Sequence, residues 1–192
     1  KRQAFFLPYV IPHAAHSILW MWLYDPRYGL WNYLLGFVGL GPIPWVKSSA
    51  WVLHAFVIMN IWKRTGFTMV LFTAGLQTIP ADLYEAATID GAGKWKQFFS
   101  ITVPMITPII FYNLVTQICQ AFQEFNGPFI ITNGGPRGST TLISILVYNY
   151  AFKSNQMGMA SALAWIMFVI VCILTIIAFT SQKKWVYYSD ER

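Results

Sequence analysis

Three ionisable residues stand inside long apolar stretches of the sequence: Lys63, Arg64 and Glu124. Placing a charged side chain at the centre of a bilayer costs about 2.5–3.5 kcal/mol on insertion scales. Such residues therefore usually face other protein groups or a water-filled path rather than lipid. Guanidinium groups also bind carboxylate and phosphate groups well. These positions are the first candidates for a polar binding site at membrane depth.

Uncharged polar side chains extend this pattern on the third apolar stretch. Asn113, Gln117, Gln120 and Glu124 follow the spacing i, i+4, i+7 and i+11, which predicts one stripe of hydrogen-bonding groups on a single helix. Two interpretations stay open. The stripe could join its helix to neighbouring helices, or it could line the path of a polar solute.

Two further patterns predict little chemistry. His13 and His16 can share a helix face, but no third ligand accompanies them, so we expect packing or interfacial histidines rather than a metal site. The run Gly91-Ala92-Gly93-Lys94 lacks the spacing of a phosphate loop, and Trp95 stands where a Mg²⁺-binding hydroxyl would be needed. We therefore expect that this chain does not hydrolyse ATP and is not an enzyme.

The elements that must position these residues are long apolar helices. The chain is 56% hydrophobic and only 10% charged, more apolar surface than a soluble core of 192 residues could bury. Four stretches meet or approach the roughly 20 residues that a spanning helix needs. They are 5–24, 48–79, 105–125 and 159–180. The sequence predicts an all-α, polytopic transmembrane bundle.

The segments between the predicted spans carry turn and interface signals. Pro8 and Pro12 are expected in the opening turns of the first span, and Gly66 in the second is expected to allow a kink or a close approach. Turns are predicted at 25–29, 126–128 and 132–136, and a glycine- and proline-rich connection at 36–44. The aromatic residues Trp31, Tyr33 and Trp45 are expected to rim the outer face. Residues 140–152 are predicted to form an outer helix in the membrane interface.

The net charge of +6 is explained by topology rather than by a nucleic-acid partner, because basic residues lie beside the apolar stretches. The side of the membrane with more basic residues should be cytoplasmic, and this richer side includes the loop 78–104. The chain also begins without Met, and we expect residue 1 to be an internal point of a longer polypeptide. The richer side holds Lys1, Arg2, Lys94, Lys96, Lys183, Lys184 and Arg192, and the other side Arg27, Lys47, Arg137 and Lys153.

A short helix is predicted in the loop, over residues 79–93. Pro80 stands at its entrance, Gly91 just past its end, and Asp82 in its first turn, where the helix dipole favours an anion. Helical spacing gives it a face that the groove of another protein could accept. The residues on that face are Leu83, Ala86, Ala87 and Asp90.

The sequence of this loop, "IPADLYEAATIDGAGKWKQFFSITVP", resembles the EAA loop of bacterial ABC importer permeases. The flanking runs "GFTMVLFTAGLQ" and "FIITNGGP" resemble the carbohydrate branch, related to the maltose and glycerol-phosphate systems. The likeness covers essentially the whole chain and implies a type I importer fold, with the last four of the usual six core helices present. It implies that the loop helix docks on an ATPase, with coupling by Glu85, Ala86, Ala87, Asp90 and Gly91.

The resemblance also implies a substrate pathway for a saccharide, formed by Lys63, Arg64, Phe67, Gln117, Gln120, Ala121 and Glu124. The two cations replace uncharged residues of the maltose-type protein, which suggests an acidic or phosphorylated saccharide. The implied partners are a second, different permease subunit, two ATPase subunits that hold ATP and Mg²⁺, and an extracytoplasmic binding protein. The implied location is the bacterial cytoplasmic membrane. The alternatives are a secondary transporter or channel subunit without an ATPase, and a membrane anchor for a complex.

Overall fold

The computed structural model describes residues 2–187, with side chains from residue 5 onward. Within that range the chain forms ten α-helices and three π-helical turns, and no β-strand. The all-α prediction is confirmed. The helices are α1 (Arg2–Val10), α2 (His13–Leu23), α3 (Leu30–Phe37), α4 (Val52–Gln77), α5 (Ala81–Ile89), α6 (Lys94–Gln97), α7 (Val103–Met105), α8 (Thr107–Phe122), α9 (Ile143–Tyr148) and α10 (Met157–Gln182). The π-helical turns are Phe98–Thr102, Pro128–Thr132 and Asn149–Lys153.

The chain divides into two compact units. The first consists of Lys1–Gly66 with Gln120–Ile170, and the second of Phe67–Cys119 with Val171–Arg192. Helices α4, α8 and α10 begin in one unit and end in the other. The intramembrane charges predicted from the sequence belong to the first unit, and helix α5 belongs to the second.

The first predicted span is two helices rather than one. Helix α1 ends at Val10, and α2 begins at His13 with Pro12 in an extended conformation before it. Because proline lacks an N–H and disfavours helical geometry in the residue before it, Ile11 and Pro12 form a break. Pro12 therefore does not lie in an opening turn, and Pro8 lies inside α1. The turn predicted at 25–29 is confirmed. The Asp25 carboxylate accepts hydrogen bonds from the N–H groups of Tyr28 and Arg27, and these bonds hold the pKa of the carboxylate below its usual range.

Helix α4 is one continuous helix of 26 residues, about 39 Å long at 1.5 Å per residue. It is shorter than the predicted 48–79 because residues 49–51 form a turn before it and residues 78 and 79 are no longer helical. Gly66 is the site of a close approach rather than of a kink. A Cβ atom at this position would lie 1.8 Å from the carbonyl oxygen of Phe5 in α1.

Among residues 2–187, α10 is the single helix that is long and apolar enough by itself to cross a bilayer. The stretches Lys94–Met105 and Thr107–Phe122 pass the same test together, with a bend of 57° between them. The third predicted span is therefore the second half of a bent pair. It ends at Phe122, so Glu124 lies beyond the helix on which the polar stripe was predicted.

The outer segments differ in detail from the predictions. Asn126 and Gly127 are helical and lead into the π-helical turn Pro128–Thr132, so the turn predicted at 126–128 is wrong. The turn predicted at 132–136 is confirmed by left-handed backbone at Asn133 and Gly134. Residues 140–152 do contain helix, as α9 followed by a π-helical turn. Their place at a membrane interface stays a prediction.

Aromatic side chains form the core of the first unit. Trp20, Tyr24, Trp45, Phe56 and Met59 are buried there, and the Tyr24 hydroxyl donates a hydrogen bond of 2.7 Å to the carbonyl of Ala55. Trp45 is thus a core residue and does not rim a surface, whereas Tyr33 is 65% exposed. The reason is local, because the Asn32 side chain bonds the Ile43 backbone and the Trp45 indole N–H.

Candidate functional site

Lys63 is the most buried of the three predicted intramembrane charges. Its side chain is 3% exposed, and its Nζ donates a hydrogen bond of 2.8 Å to the carbonyl oxygen of Ile11. That carbonyl lies at the break between α1 and α2, where the regular helical bonding pattern is interrupted by Pro12. The ammonium group therefore joins α4 to the break in the preceding helix pair.

Arg64 and Glu124 form an ion pair. Arg64 Nη2 lies 3.6 Å from Glu124 Oε2, and the two side chains are 19% and 14% exposed. The guanidinium group also donates a hydrogen bond to Gln120 Oε1. Glu124 Oε1 in turn accepts a long hydrogen bond, 3.4 Å, from the N–H of Gly127. Arg64 thus connects α4 to the last turn of α8 and to the segment that follows it.

These side chains line one cavity of about 420 Å³ in the first unit. Its volume lies in the range of small-molecule sites, roughly 300–1,000 Å³. Two cations, one carboxylate, several amides and two aromatic rings face it, which is a set able to bond hydroxyl groups and pack against a sugar ring. The lining residues are Tyr9, His13, Lys63, Arg64, Gln120, Gln123, Glu124, Phe125 and Asn126.

The predicted pathway is brought together in part. Lys63, Arg64, Gln120 and Glu124 share the cavity, whereas the lining of this cavity includes none of Phe67, Gln117 and Ala121. Asn113 is 7% exposed, and its Nδ2 donates to the carbonyl of Ile109 on its own helix. Glu124 therefore does not continue the helical stripe of Asn113, Gln117 and Gln120, because α8 ends at Phe122.

Sequence reasoning missed five cavity residues: Tyr9, His13, Gln123, Phe125 and Asn126. The signal that could have found Tyr9 and His13 is Pro12, since the helix break places residues on both sides of it along one wall. The two histidines have different roles. His16 is 2% exposed and stacks on Trp62 with 5.7 Å between ring centroids, as a packing residue does.

Helix α5 confirms the short helix predicted in the loop. It runs from Ala81 to Ile89 after Pro80, with Asp82 in its first turn. Gly91 follows with a φ of +70°, the left-handed conformation that glycine adopts without strain. None of its residues is buried, and the apolar side chains of Leu83 and Ile89 are 40% and 87% exposed.

Two hydrogen bonds fix α5 to the segment that follows it, and a third lies within that segment. The Tyr84 hydroxyl and the Thr102 hydroxyl lie 2.8 Å apart. Gln97 Nε2 donates to Thr88 Oγ1 and to the carbonyl of Ala92, both at 3.0 Å. Because Tyr84 and Thr88 are bonded to Thr102 and Gln97, we expect α5 to move together with residues 97–102. The other face of α5 is exposed. Glu85 and Ala86 lie on the exposed part, and Ala87 is half-buried.

Comparison with known proteins agrees with this architecture. Residues 4–186 match the family described as "Binding-protein-dependent transport system inner membrane component". The chain is 40% identical over 194 residues to the probable ABC transporter permease protein YesP of Bacillus subtilis, covering 99% of this chain and 62% of that protein. It is 38% identical over 176 residues to the trehalose/maltose transport system permease protein MalF of Thermococcus litoralis, covering 92% and 59%.

A third relative is the sn-glycerol-3-phosphate transport system permease protein UgpA of Pectobacterium atrosepticum, 34% identical over 186 residues, with 95% and 62% covered. The chain therefore spans about three fifths of the length of these relatives. Among solved structures, a bacterial alginate ABC transporter in complex with an alginate pentasaccharide-bound periplasmic protein matches with a TM-score of 0.84 and 24% identity, covering 95% of this chain and 64% of that one. That likeness shows the fold. This chain belongs to the family of inner-membrane components of binding-protein-dependent transport systems.

Proposed function

We propose that this chain is a permease subunit of an ATP-binding-cassette importer that moves a saccharide into a bacterial cell. Support comes from the family and from relatives named for trehalose, maltose and glycerol-phosphate transport. The observation that carries the proposal is the exposed helix α5, which is held to its own chain by Tyr84 and Gln97 and offers its remaining surface to another protein.

The proposed coupling element is α5 with the turn that ends it. Glu85 supplies an exposed carboxylate, Ala86 and Ala87 allow close approach of a groove, and Asp90 with Gly91 ends the helix. When the ATPase pair closes on ATP, the docked helix would transmit the displacement through Thr102 into the bent helix pair of the second unit. Alternating access follows as two permease halves rearrange around the substrate.

This function requires partners. A single coupling helix in this chain implies a second permease subunit, and we propose a different chain in that place. Two ATPase subunits would hold ATP and Mg²⁺, so this chain would not itself be an enzyme. An extracytoplasmic binding protein would deliver the saccharide, in keeping with the description of the family. The complex would lie in the cytoplasmic membrane, with α5 on the cytoplasmic side.

The proposed substrate site is the cavity that holds Arg64 and Glu124. Amide and hydroxyl groups around it are suited to sugar hydroxyls, and Tyr9 and Phe125 to the apolar face of a sugar ring. Phe67, Gln117 and Ala121 would contact the substrate at another stage of its passage.

An acidic or phosphorylated saccharide is a second candidate for the substrate. The observation in its favour is the presence of two cations against one carboxylate in the cavity, which leaves one net positive charge. Both cations are already engaged, Lys63 by a backbone carbonyl and Arg64 by Glu124. Uptake of charged and neutral oligosaccharides by the wild type and by a Lys63→Ala, Arg64→Ala variant tests the point. Equal transport of both classes by both proteins would reject it.

The coupling proposal is tested by a charge reversal at Glu85. In the reconstituted complex, Glu85→Lys should abolish the stimulation of ATP hydrolysis by substrate-loaded binding protein, because it places a cation where the proposed contact would hold the Glu85 carboxylate. Lys47→Glu reverses a charge of the opposite sign at an exposed position outside α5, and it should leave the stimulation intact. Normal transport by the Glu85→Lys variant without any ATPase would instead support a secondary transporter or channel.

A further inference from the structure

A second exposed surface lies directly after α5, on α6 and the π-helical turn that follows. Trp95 is 77% exposed, Phe99 62% and Phe98 43%. Trp95 stacks on Phe99 with 6.3 Å between ring centroids, and Phe98 meets Phe99 edge to face at 5.1 Å. Lys94 and Lys96 beside these rings are also exposed. We name the three rings and the two lysine side chains the Trp95 patch.

The charges of the Trp95 patch lie on both sides of its aromatic rings. At about 100° per residue, Lys94 and Lys96 point to the two sides of Trp95, so the cations flank the aromatic rings. No carboxylate lies within ion-pair distance of either lysine in the part of the chain that the structure describes. An aromatic surface flanked by unpaired cations is complementary to an anionic lipid surface.

The position of the Trp95 patch in the chain indicates that its binding partner is lipid. Residues Lys94–Met105 are the first half of the bent pair that is apolar and long enough to cross a bilayer, and the patch forms the beginning of that pair. The start of such a stretch lies where hydrocarbon meets headgroups. Tryptophan and phenylalanine favour this depth, and lysine chains reach from it to the headgroups.

We infer that the Trp95 patch binds anionic phospholipid headgroups of the bilayer and anchors helix α5 at a fixed depth beside it. The anchoring follows from the two hydrogen bonds of Gln97, which join α6 to Thr88 in the last turn of α5 and to Ala92 in the connection between the two helices. This inference needs only that the chain lies in a bilayer, and it does not depend on which solute is transported or on the presence of an ATPase.

The test measures contact between lipid and Trp95 in the intact complex, reconstituted into nanodiscs. Because the chain holds nine tryptophans, the emission of Trp95 is obtained as the difference between wild type and Trp95→Phe. Brominated phosphatidylglycerol should quench this emission at least about twofold more than brominated phosphatidylcholine at low salt, since each lysine near an anionic surface strengthens binding roughly fivefold. Native mass spectrometry should likewise retain more phosphatidylglycerol on the wild type than on a Lys94→Gln, Lys96→Gln variant.

Matched variants isolate the charges. The preference for phosphatidylglycerol should disappear in Lys94→Gln, Lys96→Gln and persist in Lys94→Arg, Lys96→Arg and in Lys47→Gln. Equal quenching by both lipids in the wild type would overturn the inference. So would the absence of quenching by either lipid, with quenching restored when the ATPase is removed, because the patch would then be a contact with that protein.

Discussion

The ammonium group of Lys63 in α4 donates a hydrogen bond of 2.8 Å to the backbone carbonyl of Ile11, 52 residues earlier in the chain. The carbonyl lies at the break that Pro12 introduces between α1 and α2. A charge that looks like a substrate ligand in the sequence is thus also a cap for interrupted backbone. Removal of this ammonium group therefore has consequences for the structure at the break.

Lys63→Met is expected to loosen the break between α1 and α2. Methionine replaces the aliphatic stem of lysine but leaves the Ile11 carbonyl without its donor. An unsatisfied buried carbonyl lowers stability by about 1–3 kcal/mol. Hydrogen exchange of the amides at the start of α2 should therefore become about 5- to 150-fold faster. Lys47→Met, at an exposed lysine, is the control. Unchanged exchange at α2 would show that the ammonium does not stabilise the break.

Gly66→Ala is expected to separate α4 from α1. The added Cβ would lie 1.8 Å from the carbonyl oxygen of Phe5, a clash with backbone that only a helix displacement can relieve. Overpacking of this kind lowers the free energy of unfolding by about 1–3 kcal/mol or more. The thermal unfolding midpoint in mild detergent should fall accordingly. Gly36→Ala, in a helix with open space around it, should leave the midpoint unchanged or raise it.

The Arg64–Glu124 pair is expected to show coupling in a double-mutant cycle. Both side chains are largely buried, so each single change to glutamine leaves one poorly solvated charge. The double variant should be less destabilised than the sum of the single variants, by about 1 kcal/mol. The unfolding midpoints of the four proteins give this number, with Arg27→Gln at an exposed arginine as control. Strict additivity would mean that the ion pair contributes nothing.

Gly91→Ala is expected to disturb the end of helix α5 through the backbone alone. Gly91 has a φ of +70°, and no other atom lies within 4 Å of an added Cβ. Forcing alanine into this conformation costs about 1–2 kcal/mol. Hydrogen exchange in α5 should therefore accelerate, and in the proposed importer the rate of ATP-driven transport should fall. Gly93→Ala is the matched control, because that residue has equal space and an ordinary φ of −69°. Equal effects of the two changes would contradict the conformational explanation.

Tyr84→Phe is expected to weaken the connection between α5 and the bent helix pair. The change removes the hydroxyl that lies 2.8 Å from Thr102 Oγ1, an interaction worth about 0.5–1.5 kcal/mol. In the proposed importer, ATP hydrolysis should continue while the amount of saccharide moved per ATP falls. Tyr33→Phe, at a residue that is 65% exposed, is the control. An unchanged ratio in Tyr84→Phe would place the transmission elsewhere.

The all-α architecture and the position of α5 follow from local features of the amino-acid sequence. Long apolar stretches favour helices whatever their partners, and the signals that start and end α5 act within one turn, at Pro80, Asp82 and Gly91. The sequence also singled out Lys63, Arg64 and Glu124, because charged side chains are rare in such apolar surroundings.

Which of these residues contact one another depends on the packing of the helices. Hydrogen-bond partners such as Ile11 and Lys63 are set by how helices pack, and spacing along one helix carries no information about a partner 52 residues away. The same limit explains the broken first span and the polar stripe that ends at Phe122, since each depends on where a helix stops. Local propensities fixed the helices, whereas packing between them formed the cavity around Arg64 and Glu124.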